Sequence, residues 1–288
     1  IDTVPLAYDL YEPTSSFSSS FNNSPIIFLH GLFGNKLNNR ASSRQLSKLL
    51  NKSVYALDLR NHGLSPHANR NDTPSLAADV ENFIIENKLN KPIVIGHSMG
   101  AKLAMAISLR RPNLLSQVIS VDNVPAINTK TIDEFEKFAK YIHQLKKITT
   151  QITPKPVESL EEADHVLSSV ESDRLIRQFV LTNIKRDYSK KNIGHTPLVL
   201  HSRIPLEIIL KNLENIRSWE FDSKKSTWNG PTLLVRGLKS KFVPNEDLPK
   251  MKQFFPNYDL ASIDSGHWII SEKHQEFINV VGKWIKEH

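Results

Sequence analysis

The segment that most constrains this chain is Ile93-Val94-Ile95, followed at once by Gly96-His97-Ser98-Met99-Gly100 and then by residues 101–111. A short, wholly apolar run reads as a strand buried on both faces. Residues 101–111 carry helical spacing, so strand and helix are joined by a turn of only a few residues. Glycines two positions before and two after Ser98 leave no Cβ beside the sharpest part of that turn. The serine hydroxyl is thereby lifted to the carboxyl edge of a sheet, at a helix N-terminus where the dipole and free N–H groups favour negative charge. In that context Ser98 is expected to act as a nucleophile.

The rest of the chain repeats the alternation. Apolar runs at 25–30 and 53–58, like that at 91–96, stop at turn-forming residues, and helical spacing at 39–51 and 73–88 lies between them. This is the pattern of a mostly parallel, doubly wound α/β sheet. Residues 118–121, 232–235 and 260–263 add three strands, and 5–12 reads as an edge strand ahead of a Ser/Asn-rich loop at 14–24. From 126 to 228 the strand signal gives way to amphipathic helices at 134–148, 161–170 and 174–184. The expected division is a core of 1–125 and 229–288 with a helical cap, or lid, of 126–228. Only ten glycines occur, against about 20 from average usage, and seven of them (31, 34, 63, 96, 100, 237 and 266) fall at strand ends or in the turns that follow.

At 288 residues core size is no limitation, and no apolar run reaches the ~18 residues that span a bilayer, which excludes a membrane-spanning helix. There are no cysteines, hence no disulfides or thiolate sites, and no His/Asp/Glu cluster has metal-ligand spacing on one element. The net charge of +7 is spread over a lysine-rich surface without the interleaved aromatics of a nucleic-acid platform, so nucleic acid is not an expected partner. Asn22, Asn51 and Asn71 begin Asn-x-Ser/Thr triplets, which arise by chance in an Asn-rich chain. The chain opens on Ile1 with no leading apolar segment, and any targeting peptide is expected to have been removed.

A serine nucleophile needs a base, an acid and an oxyanion site. His30-Gly31-Leu32-Phe33-Gly34 ends an earlier strand, and Leu32 and Met99 are the expected N–H donors, with Phe33 a substitute donor or pocket wall. Of eleven histidines, His267 lies in Asp264-Ser265-Gly266-His267-Trp268, between the last strand and the last helix, and is the expected base. Trp268 is a candidate pocket residue, and His97 is expected to be structural. The usual place for the acid, after strand 232–235, reads Arg236-Gly237-Leu238-Lys239-Ser240-Lys241, without a carboxylate. Strand 118–121 instead ends in Val121-Asp122, so Asp122 is the expected acid, with a displaced Asp247 as the alternative. The order Ser98, Asp122, His267 is that of hydrolases with this turn. Asp58 and Arg60 are expected to form a structural ion pair or loop anchor.

With these residues in place, the chain resembles the α/β-hydrolase superfamily over nearly its full length, in particular the mitochondrial hydrolases of animals and the yeast ethanol acetyltransferases. The likeness rests on residues 5–11, His30-Gly31-Leu32-Phe33-Gly34, residues 58–65, Gly96-His97-Ser98-Met99-Gly100-Ala101-Lys102 and Ser265-Gly266-His267. That group also places its acid in a Val-Asp segment, matching Val121-Asp122. The resemblance implies that acetyl-CoA acylates Ser98 and ethanol accepts the acetyl group to give ethyl acetate, with esterase and thioesterase activity when water accepts it. It implies a mitochondrial location, with small-molecule substrates as partners, no bound cofactor and a monomer. Lys190, Lys191, Lys239 and Lys241 are candidates to meet coenzyme A phosphates. The alternatives are a plain ester or thioester hydrolase, and a non-catalytic binding protein of the same fold. A serine at the elbow argues against dehalogenase or epoxide-hydrolase chemistry, which needs a carboxylate nucleophile.

Overall fold

The computed structural model describes residues 1–13, 24–153, 157–187 and 199–288. The loop expected at 14–24, apart from Ser24, lies outside the described residues, as do Lys190, Lys191 and Asn22. The strands are β1 (Tyr8–Tyr11), β2 (Ile26–Leu29), β3 (Val54–Leu57), β4 (Ile93–His97), β5 (Gln117–Val121), β6 (Ile184–Asp187), β7 (Val199–Ser202), β8 (Thr232–Gly237) and β9 (Tyr258–Ile263). The helices are α1 (Arg40–Leu50), α2 (Thr73–Glu86), α3 (Met99–Arg110), α4 (Ile132–Thr150), α5 (Leu160–Leu167) and α6 (Arg174–Leu181), then α7 (Leu206–Lys211), α8 (Leu213–Arg217), α9 (Leu248–Phe254), α10 (Ile269–Glu272) and α11 (His274–Glu287).

Seven strands form one sheet in the order β1-β3-β2-β4-β5-β8-β9. Every neighbouring pair is parallel except the edge pair β1 and β3. The apolar runs are continuous because both faces are covered, and alternate residues serve opposite faces. Ile27, Leu29, Val94, Val118 and Leu234 pack with Leu76 and Val80 of α2 and Leu103 and Ile107 of α3. Ile26, Phe28, Ile93, Ile95, Ile119 and Val235 pack with Leu46 of α1 and Phe277, Val281 and Trp284 of α11.

Strand order sets up the site. From β2 the chain moves outward to β3, then returns to lay β4 on the other side of β2, and at such a switch point the loops after the two central strands diverge to leave a crevice. Leu29 pairs with Gly96, so the turn at 30–34 and the turn at 96–100 emerge side by side. His97 pairs with Val121, Val121 with Val235, and Gly237 with Ile263. The residues following β4, β5, β8 and β9 therefore leave the same edge of the sheet in adjacent positions.

Between the neighbouring strands β5 and β8 the chain departs for helices α4 to α8 and an antiparallel hairpin, β6 with β7. The expected helix at 174–184 stops at Leu181, and Ile184 begins β6. Asn183 ends it by turning its side-chain amide onto the Val180 carbonyl (3.1 Å) and the Phe33 carbonyl (2.8 Å). The strand partner of Ile184 is Ser202, 18 positions away, which local periodicity does not register. Asn71 is fully buried and takes a bond from Asn61 (3.0 Å), so it has no room for a glycan.

Candidate active site

Ser98 is held at φ 55°, ψ −115° between β4 and α3. A non-glycine residue there costs on the order of 1–3 kcal/mol, so the surroundings must enforce it. They do so by close backbone approach: a Cβ on Gly96 would lie 2.0 Å from the Gly100 carbonyl oxygen, and one on Gly100 would lie 2.6 Å from that of Leu29. The Ser98 N–H donates to the Val121 carbonyl (2.9 Å), and the Ser98 carbonyl accepts from Ala101 N–H (3.0 Å) and the Asn123 amide (3.0 Å).

The three residues singled out in the sequence meet in one hydrogen-bonded line. His267 Nε2 is 2.9 Å from Ser98 Oγ, and His267 Nδ1 is 2.7 Å from Asp122 Oδ2. An ionised carboxylate only accepts, so the ring proton resides on Nδ1 and the Nε2 lone pair faces the serine. Asp122 is fully buried, at φ 55°, a conformation aspartate tolerates better than most side chains. Its Oδ1 accepts from Gly237 N–H (3.0 Å), and its Oδ2 accepts from Ser240 Oγ as well as from His267. Ser240 itself accepts from Phe242 N–H (3.1 Å), which directs its hydroxyl proton to the carboxylate. The position that lacks an acid in the sequence thus supplies a donor to the acid one strand away. Asp247, the alternative, pairs with Lys250 (2.9 Å).

Phe242 stacks on the His267 ring, centroids 3.8 Å apart and planes 16° from parallel. On the other side His97 donates from Nε2 to the His267 carbonyl (2.8 Å), its ring 4.9 Å from that of His267. Burial, with the His267 ring beside it, pushes His97 down to about 4, so it packs as a neutral ring against His267. Asn128 donates to the carbonyls of Lys241 (2.8 Å) and Phe242 (3.4 Å), tying the start of the 122–231 excursion to the stacking ring. The buried Lys102, one helical turn after Ser98, donates to the carbonyls of Arg217 and Ser218, and burial pushes its amine down to about 7. Sequence reading missed Ser240, Phe242, Asn128 and Asn183 as parts of this site. Only Ser240 left a trace, as the polar residue in the vacant acid position.

Neither the Leu32 nor the Met99 N–H meets a protein acceptor among the described residues, and Met99, first in α3, has no carbonyl a turn back to bond. Phe33, at φ 63°, turns its ring onto Phe138 and Tyr141 of α4 and is not among the residues lining either cavity at Ser98. The larger cavity, about 320 Å³, is walled by Ser98, His267, Trp268, Phe179 and Ile270 among others. A second, of about 20 Å³, lies against Ser98, Leu32 and Met99. Lys239 pairs with Asp264 (2.9 Å), Lys241 lies 3.6 Å from Glu134, and neither lines these cavities. Asp58 and Arg60 do not pair with each other. Arg60 is bound twice by Asp79 (2.5 and 2.7 Å), while Asp58 accepts from the backbone N–H groups of Lys36 (2.6 Å) and Leu64 (2.8 Å) and anchors the loop. Asp79, on α2, was invisible as a partner because the pairing spans 19 residues and two elements.

Residues 24–274 match the family model for the alpha/beta hydrolase fold. A probable alcohol acetyltransferase of Saccharomyces cerevisiae is 37% identical over 272 residues, covering 92% of this chain and 78% of the yeast protein. An sn-1-specific diacylglycerol lipase of Xenopus laevis is 31% identical over 284 residues, covering 98% of this chain and 84% of the lipase. Among solved structures, a marine microorganism esterase superposes with a TM-score of 0.83 at 28% identity, covering 98% of this chain and all of the esterase. Strand order, elbow and relatives agree, and the chain belongs to the α/β-hydrolase family of enzymes.

Proposed function

We propose that this protein is a serine acyltransferase that makes acetate esters through an acyl-enzyme on Ser98. The observation that carries the reading is the unbroken line Ser98 Oγ, His267 Nε2, His267 Nδ1, Asp122 Oδ2, with gaps of 2.9 and 2.7 Å. His267 takes the Ser98 proton as Oγ attacks the carbonyl carbon of the acyl donor, and Asp122 stabilises the imidazolium. The oxyanion is received by the N–H groups of Leu32 and Met99. The tetrahedral intermediate collapses, and His267 gives its proton to the departing thiolate or alkoxide. In the second half His267 deprotonates an alcohol, or water, as it attacks the acyl carbon; the second tetrahedral intermediate then expels Ser98 Oγ, which takes the proton back from His267.

The acyl donor in this reading is acetyl-CoA and the acceptor ethanol; the likeness to an alcohol acetyltransferase supports the acetyl group and an alcohol acceptor. A mitochondrial location is part of the same proposal. Incubation with acetyl-CoA and ethanol tests it: ethyl acetate is the expected product, absent in a Ser98→Ala variant, and acetate alone refutes the transferase reading. The second reading, a plain ester hydrolase, is favoured by the likeness to a diacylglycerol lipase and a marine esterase. It requires that added ethanol leave the product unchanged.

A further inference from the structure

The two cavities at Ser98 differ in size, about 320 Å³ against about 20 Å³, and in which catalytic group opens onto each. His267 walls the large cavity and is absent from the lining of the small one, whereas Met99, the elbow's oxyanion donor, lines only the small one. A carbonyl carbon attacked by Ser98 Oγ carries three further substituents: the oxyanion, the acyl chain and the leaving group. The leaving atom must lie within reach of His267 Nε2, which protonates it, so that substituent enters the large cavity. With the oxyanion turned to Leu32 and Met99, the direction left for the acyl chain is the small cavity.

That cavity is lined by Ala126, Phe135, Ile216 and Phe242 among others. Its polar wall groups are already engaged: Lys102 by the Arg217 and Ser218 carbonyls, the Asn123 amide by the Ser98 carbonyl, and the Asn128 amide by the Lys241 carbonyl. These groups are taken up elsewhere and not offered to a ligand, and about 20 Å³ accommodates roughly one water-sized group, such as a single methyl. The large cavity lies within the usual range for small-molecule sites and takes a chain or ring of several carbons.

Resting on the reading of Ser98, Asp122 and His267 above, we propose that the small cavity is the acyl seat and confines the enzyme to acetyl-sized acyl groups. The large cavity receives the alcohol or thiol portion, and takes alcohols well beyond ethanol. Phe135, on α4 and packed edge-on to Phe138 (5.4 Å), is the residue that sets the acyl limit.

The test measures kcat/KM of the purified chain for p-nitrophenyl acetate, butyrate and octanoate, which share one leaving group. Butyrate is expected to fall about tenfold or more below acetate, because two extra methylenes overpack a space of about 20 Å³. In Phe135→Ala the butyrate-to-acetate ratio should rise about tenfold, with a smaller rise in Phe135→Leu. The ratio does not depend on the folded fraction of a preparation, so lost stability cannot mimic it. Acetates of benzyl alcohol and hexanol should be turned over at least as well as ethyl acetate. A wild-type enzyme equally active on acetate and octanoate, or a ratio unmoved by both Phe135 variants, overturns the acyl-seat assignment while leaving the serine mechanism intact. A wild-type enzyme inert on every ester overturns the mechanism and the assignment together.

Discussion

Replacing Asp122 with asparagine keeps the volume of the acid and removes its charge, and the surroundings determine where the new NH₂ must go. At the Oδ1 position it would face Gly237 N–H, now 3.0 Å away, donor against donor in a fully buried site. At the Oδ2 position it faces His267 Nδ1, now 2.7 Å away, and Ser240, which already accepts from Phe242 N–H and has a further lone pair to give. The second arrangement leaves fewer donors stranded, and it makes Nδ1 an acceptor. The ring proton then moves to Nε2 and points at Ser98 Oγ, where a lone pair is needed. The same substitution in another serine enzyme lowers kcat about 10⁴-fold through the wrong tautomer, equivalent to about 5.5 kcal/mol of barrier. For Asp122→Asn we expect a loss of about 10³- to 10⁴-fold in kcat on p-nitrophenyl acetate, with KM changed much less. Stopped-time assays with active-site titration of Ser98 separate lost turnover from lost protein. A variant that retains a tenth of wild-type kcat would refute the tautomer argument and reopen Asp247 as the acid.

Ser240→Ala removes a donor to the buried carboxylate and strands Phe242 N–H. It should cost about 1–3 kcal/mol of stability and lower kcat, read by thermal unfolding and esterase assay; two unchanged values would show the bond contributes nothing. Burial holds His30, His62 and His97 neutral, at about 4, about 3 and about 4 against 6.5 when unfolded. The unfolded chain therefore takes up protons that the folded chain refuses as pH falls from 6.5. The stability is present in full above 6.5, shrinks by roughly 3 kcal/mol per histidine by pH 4, and is lost as pH falls through the folded values. Melting temperature should fall steeply between pH 6.5 and 4, and a flat profile would exclude the effect. Lys102→Met leaves the carbonyls of Arg217 and Ser218 without their donor, so amide exchange at the end of α8 should quicken. Exchange unchanged there would mean the lysine does not hold that segment.

How much of this was legible in the sequence follows from how far apart interacting residues lie along the chain. The elbow was fully legible because its causes are local: an apolar run, two glycines at fixed spacing and a helix start within a dozen residues. The partners of Ser98 were legible at one remove. In a parallel sheet each strand delivers its following loop to the same edge, so position at a strand end serves as a coordinate, and Asp122 and His267 each occupy one. The hairpin of β6 and β7, the Arg60–Asp79 pair and the Asn183 bond to Phe33 leave no such coordinate, because Ile184, Asp79 and Asn183 each lie inside a stretch read as helical, where no break marks a partner. Ser240 falls between these cases. The sequence around it lacks a carboxylate, and a vacancy says nothing about its occupant until the neighbouring strand is known to supply one. Once Asp122 fills the role, a donor at 240 is what its chemistry favours: a fully buried carboxylate needs donors at both oxygens, and without Ser240 Oδ2 would be bonded only to His267. Moving the acid to β5 and retaining a hydroxyl after β8 are thus one structural solution, and the two positions should be tested as a pair.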